Sequence, residues 1–190
     1  MDLAINAFIF IVTFVLTLGF FYKDRQWTLT NGRKAFRYFT VQSNVLCAFA
    51  ALLMCFEAFQ PFAWWLKYPG TAAVTVTMLT VFLFLGPNMG YGELLKGPDL
   101  FMHLITPLLA IASFCLLEKR GLSFPGSLPG MIPVTCYGFL YLYKVIYAPE
   151  GRRWDDFYGF NKGGKWPVSL LCMLLGSFGL CMLFMLLQNR

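Results

Sequence analysis

Apolar residues follow one another in long unbroken runs along this chain, and polar residues gather in the short stretches between them. Charged side chains are missing from Leu3–Tyr22, Tyr38–Phe56, Tyr68–Gly92, Leu100–Leu117, Gly121–Tyr143 and Trp166–Asn189. A helix rising ~1.5 Å per residue needs about 20 residues to cross ~30 Å of hydrocarbon, and barrel strands would instead alternate over ~10 residues. The pattern predicts an all-α, polytopic membrane protein, a bundle of six transmembrane helices over about 3–22, 38–56, 70–89, 100–117, 129–147 and 167–187. The whole chain, 1–190, is one six-span domain with no room for a soluble module. The first run has only Asp2 before it and no small-residue cleavage site after it, so it reads as an uncleaved span. The stretch Ser123–Pro133, rich in Pro and Gly, reads as an external turn and an irregular start to span five.

Composition agrees: 58% of residues are hydrophobic and 13% charged, and the mean hydropathy is strongly positive. The charge that remains is unevenly placed. Lys23, Arg25, Arg33, Lys34, Arg37, Lys96, Arg152, Arg153, Lys162 and Lys165 follow the odd-numbered spans, ten against the four of Lys67, Lys119, Arg120 and Arg190. This asymmetry predicts cytoplasmic odd-numbered loops, both termini outside, and residence in a plasma (inner) membrane. The partners implied are membrane lipids. Scattered basic residues in short loops, with no recognisable module, argue against nucleic acid. The six cysteines all fall inside apolar runs without metal-ligand spacing, so they read as packing residues, and no metal or cofactor is expected.

One residue stands apart from the background. His103 is the only histidine and lies inside an apolar run, where an ionisable side chain is costly and therefore marks a functional site. Asp99 precedes it by four residues, on the same face of a helix; it either caps the helix start after Pro98 or orients the imidazole. With the topology above, spans two and four both start at the cytoplasmic side, so Thr40 and His103 lie one turn below the same surface. Thr40, Ser43, Asn44 and Cys47 share a face of span two. Ser43 and Asn44 serve either as glue between helices or as donors to a reacting oxygen. Lys144 descends toward the same layer from span five, unless it snorkels to the headgroups.

The segment Phe36-Arg37-Tyr38-Phe39-Thr40-Val41-Gln42, followed by His103 with Pro107 one turn later and by Lys165-Trp166-Pro167 at the last span, resembles the androgen-induced/androgen-dependent integral membrane hydrolases. The likeness is to their bacterial-type six-span branch. It implies hydrolysis of fatty acid esters of hydroxy fatty acids or similar lipid esters by an intramembrane threonine and histidine. Thr40 would then be the nucleophile and His103 its general base, with Asp99, Asn44, Ser43 and Lys144 in supporting roles of orientation or oxyanion binding. Two other readings use the same residues. One is a membrane acyltransferase on this scaffold, for which Cys47 is a second possible nucleophile. The other is a small transporter or channel relaying charge through His103, Asp99 and Lys144.

Overall fold

A computed structural model describes residues 2–190, and it is helical apart from one small hairpin. Helix α1 spans Asp2–Gly19, and the hairpin pairs β1 (Tyr22–Lys23) with β2 (Gln26–Trp27). A short helix α2 (Leu29–Ala35) then meets α3 (Phe39–Met54) at 95°. Helix α4 runs over Glu57–Met89, α5 over Pro98–Leu117, α6 over 124–147 and α7 over Trp166–Gln188. Among the described residues, α1, α4, α5 and α7 are long and apolar enough to cross a membrane, and the α2–α3 pair makes a fifth if taken as one span. Helix α6 is not among them, because Tyr137, Tyr141, Tyr143, Tyr147, Lys144 and three prolines dilute its apolar residues.

Small residues let the first helices pack closely. Ile9, Cys47, Ala48, Ala51, Val74 and Ala110 form a core shared by α1, α3, α4 and α5. A Cβ on Gly70 would stand 3.0 Å from the Cys47 Cα, so α3 and α4 approach backbone to backbone there. A second core stacks Trp64, Tyr68, Phe114 and Phe184 between α4, α5 and α7. Outward-facing Leu3, Phe14, Leu171 and Leu175 are more than half exposed, as side chains facing hydrocarbon would be.

Three helices widen just before a proline, and one mechanism accounts for all three. Thr106 N–H donates to Phe101 C=O, Gly86 N–H to Val81 C=O, and Ala148 N–H to Tyr143 C=O, each spanning five residues rather than four. The next residue is Pro107, Pro87 or Pro149, which has no N–H to give. One carbonyl per turn is therefore orphaned: Met102, Phe82 or Lys144. Each finds an outside donor. Asn44 Nδ2 reaches Met102 O at 3.0 Å, Tyr91 Oη reaches Phe82 O at 2.9 Å, and Trp154 N reaches Lys144 O at 3.0 Å. Buried backbone acceptors are filled in this way, and distant segments are tied together by it.

Two boundaries differ from the sequence expectation. Lys67, read above as an outer loop charge, lies inside α4, which begins before it and continues through Pro69. It is 0% exposed and ion-paired with Glu118 at 2.6 Å. Its ammonium also donates to Asn6 Oδ1 and Ser113 Oγ, so all three of its protons are used. Second, 124–133 is ordered helix rather than an irregular turn. Ser123 Oγ accepts from Gly126 N, and Tyr68 Oη donates to Ser127 O at 2.6 Å.

Candidate active site

Helix α3 begins at Phe39, with Tyr38 extended before it and Gln42 N–H making the first backbone bond of the helix to Tyr38 O. Thr40 is thus in the first turn, where backbone N–H groups lack intrahelical acceptors. It is partly exposed. His103 sits in the widened turn of α5, Phe101–Ile105, and is 8% exposed. Thr40 Oγ1 and His103 Nε2 are 3.4 Å apart.

The other ring nitrogen fixes the chemistry of this one. His103 Nδ1 lies 2.7 Å from Leu94 O. A carbonyl can only accept, so Nδ1 carries a proton, and in the neutral imidazole Nε2 presents its lone pair to the Thr40 hydroxyl. Leu94 reaches the ring because the chain reverses at Gly97 (φ 55°, ψ −126°), a conformation open essentially to glycine, immediately before the Pro98 helix start. A backbone carbonyl thereby takes the place that a carboxylate holds in a Ser-His-Asp triad.

Asn44 locks the two helices in this register. Its Nδ2 donates to Thr40 O at 2.8 Å and to the orphaned Met102 O at 3.0 Å, joining the residue beside His103 to the carbonyl of Thr40. Ser43 Oγ is 3.1 Å from Thr40 O and 2.9 Å from Thr77 Oγ1, which is itself 3.3 Å from Ala73 O. Both residues therefore act as clamps. Their donor groups are engaged by these acceptors in this arrangement.

The other supporting residues lie elsewhere. Asp99 is half-buried at the start of α5, and the imidazole proton it was expected to receive goes to Leu94 instead. Lys144 is packed against Tyr143 and Trp154, with Nζ 5.9 Å and 5.8 Å from their ring centres. Cys47 is fully buried in the small-residue core against Gly70. Among the described residues no three His, Cys, Asp or Glu side chains gather as a metal-ligand set.

One residue near Thr40 carries no sequence signal at all. Tyr158 belongs to the segment 148–165 between α6 and α7, which folds back so that Trp154, Phe157, Tyr158 and Phe160 pack against Phe39, Tyr137 and Tyr141. Tyr158 Oη accepts the Phe39 N–H at 3.0 Å, which brings the phenol to the helix start one residue before Thr40. Burial pushes the phenol above its ordinary range, so it holds its proton near neutrality. Asp156 secures the segment, accepting from Tyr141 Oη at 3.0 Å and from the amides of Phe160 and Asn161, both at 2.8 Å.

No family model matches this chain, and no curated protein or solved structure matches it either.

Proposed function

We propose that this protein is an integral membrane lipid esterase that cleaves fatty acid esters of hydroxy fatty acids, or similar lipid esters, with Thr40 as nucleophile and His103 as general base. The observation that carries the reading is the imidazole held by Leu94 O with its free nitrogen toward the Thr40 hydroxyl. The sequence resemblance described above supports the same pair. The membrane reading adds α6 to the other five as the sixth span, with the loops after α1, α4 and α6 in the cytoplasm. Lys67 leaves the outer-side charge count because it is neutralised inside α4. The remaining asymmetry favours that orientation more strongly.

The chemistry then runs as two acyl transfers. Nε2 takes the Thr40 proton as Oγ1 attacks the ester carbonyl carbon, and the carbonyl π pair moves onto oxygen. That oxygen's charge collapses back to expel the alcohol, which leaves with the proton from Nε2. Water repeats the sequence on the Thr40 ester, yielding a fatty acid and free Thr40. A site one turn below the interface suits an amphiphilic ester, with its chains in hydrocarbon and water arriving from the cytoplasm.

A fluorophosphonate probe reports on this activation directly. The purified protein should be labelled at Thr40, and Thr40→Ala and His103→Ala should each abolish labelling. Absence of labelling on a folded, ester-cleaving preparation would contradict the reading. Loss of an ion flux in liposomes for both variants, without any ester cleavage, would replace it with a transporter.

A further inference from the structure

Oxyanion stabilisation is the part of this chemistry still without a donor. The carbonyl oxygen gains charge while its carbon is bonded to Thr40 Oγ1, so the donor must already stand beside that hydroxyl. Asn44 and Ser43 face Thr40 but have committed their protons to carbonyl or hydroxyl acceptors. Lys144 is held against Trp154.

We infer that the Tyr158 phenol is the oxyanion donor, reaching Thr40 from the segment between α6 and α7. The inference rests on the Thr40–His103 reading and extends it. Its oxygen is anchored at 3.0 Å by the amide of Phe39, the residue next to Thr40 in the first turn of α3, and no acceptor among the described residues claims the phenol proton. When Oγ1 bonds to the substrate carbon, the new anionic oxygen forms one bond beyond it, within reach of the same O–H. No proton changes owner: the phenol donates a hydrogen bond to the oxyanion and releases it on collapse. The Phe39 amide, by donating to the phenol oxygen, polarises the O–H and strengthens it as a donor.

Preorganisation is what makes such a donor effective, and Tyr158 is fixed from several directions. Its own N–H donates to Tyr141 Oη at 3.1 Å, and that hydroxyl is held by Asp156. Its ring lies 4.7 Å from Phe157, 5.3 Å from Tyr141 and 6.4 Å from Tyr137, centre to centre. The arrangement also gives the segment 148–165 a catalytic part, because the tightly tied Asp156 sits two residues before the donor.

The test uses the full-length protein with a long-chain ester of a hydroxy fatty acid in mixed micelles. Tyr158→Phe keeps the ring and removes the O–H, and kcat should fall about 10²–10³-fold with KM little changed. Loss of the cap on Phe39 N–H will also lower the melting temperature, so a second series separates the two effects. Fluorotyrosines at 158 preserve size while acidifying the phenol, and kcat should change systematically with that acidity. A purely structural Tyr158 leaves kcat flat across the series, which overturns the assignment, as does a Tyr158→Phe variant with wild-type kcat. Thr40→Ala is measured alongside. If it stays active, the Thr40–His103 pair itself fails; if it is inactive while Tyr158→Phe is not, only the oxyanion assignment fails.

Discussion

On the proposed mechanism, replacing His103 with Ala is expected to lower kcat for lipid-ester hydrolysis by about 10²–10⁴-fold, the range for losing a positioned general base, and to leave KM close to the wild-type value. The split follows from what the ring touches. Nε2 meets the hydroxyl that must lose a proton, while Nδ1 is spent on Leu94 O, so the imidazole offers little to the bound ester itself. Asp99→Asn provides the contrast. A carboxylate that oriented the imidazole would make this variant severely impaired. With Leu94 O in that role, activity should stay within about twofold of wild type, the range of an ordinary helix-end change. Steady-state kinetics on the two variants in the same micelles decide the matter. A crippled Asp99→Asn would restore the carboxylate as the orienting group.

The second large effect is on stability. Lys67→Met strands the Glu118 carboxylate inside the bundle, with Asn6 Nδ2 and Ser113 Oγ as its remaining partners at 2.7 Å and 2.9 Å. Breaking one side of a fully buried pair costs about 3–5 kcal/mol. Glu118→Leu should cost a similar amount by stranding the ammonium. The double variant removes both charges, so it should be markedly more stable than the sum of the single losses predicts, by several kcal/mol on the scale of contacting buried pairs (~0.5–3 kcal/mol and upward). Asn6 and Ser113 lose partners in it, which keeps it below wild type. Trp64 Nε1 donates to Glu118 O at 2.7 Å, so its fluorescence follows this end of the bundle during denaturation in detergent. Strictly additive losses would mean the pair is not the unit that joins α1, α4 and α5.

How far the sequence reached depends on the kind of group involved. Long apolar runs announce helices because hydrocarbon demands them, and a lone histidine in such a run nominates a candidate site because ionisable groups are costly there. Thr40 became visible through its place in the segment before it, and the structure brings it to His103. Leu94 was out of reach because a main-chain carbonyl has no side-chain identity; only Gly97-Pro98, a reversal feeding a helix start, hinted at the fold-back. Asn44 was legible as a polar residue on the right face. Its true acceptor was hidden because the orphaned Met102 carbonyl follows from a widened turn, and the signal for that is Pro107 itself. Tyr158 lies 119 residues from its Phe39 partner, in a segment whose spacing says nothing of it. Lys67 misled in the opposite direction. A charge beside Pro69 reads as loop until Glu118, Asn6 and Ser113 are known to converge on it.

The most direct test of the central claim is the covalent intermediate. Protein mixed with a lipid ester and quenched in acid within the first turnover should carry the acyl group on the peptide containing Thr40, and fragmentation should place the added mass on the threonine oxygen. The adduct should be absent from Thr40→Ala. Acyl mass on Cys47, or full hydrolysis by Thr40→Ala with no adduct anywhere, would contradict the account.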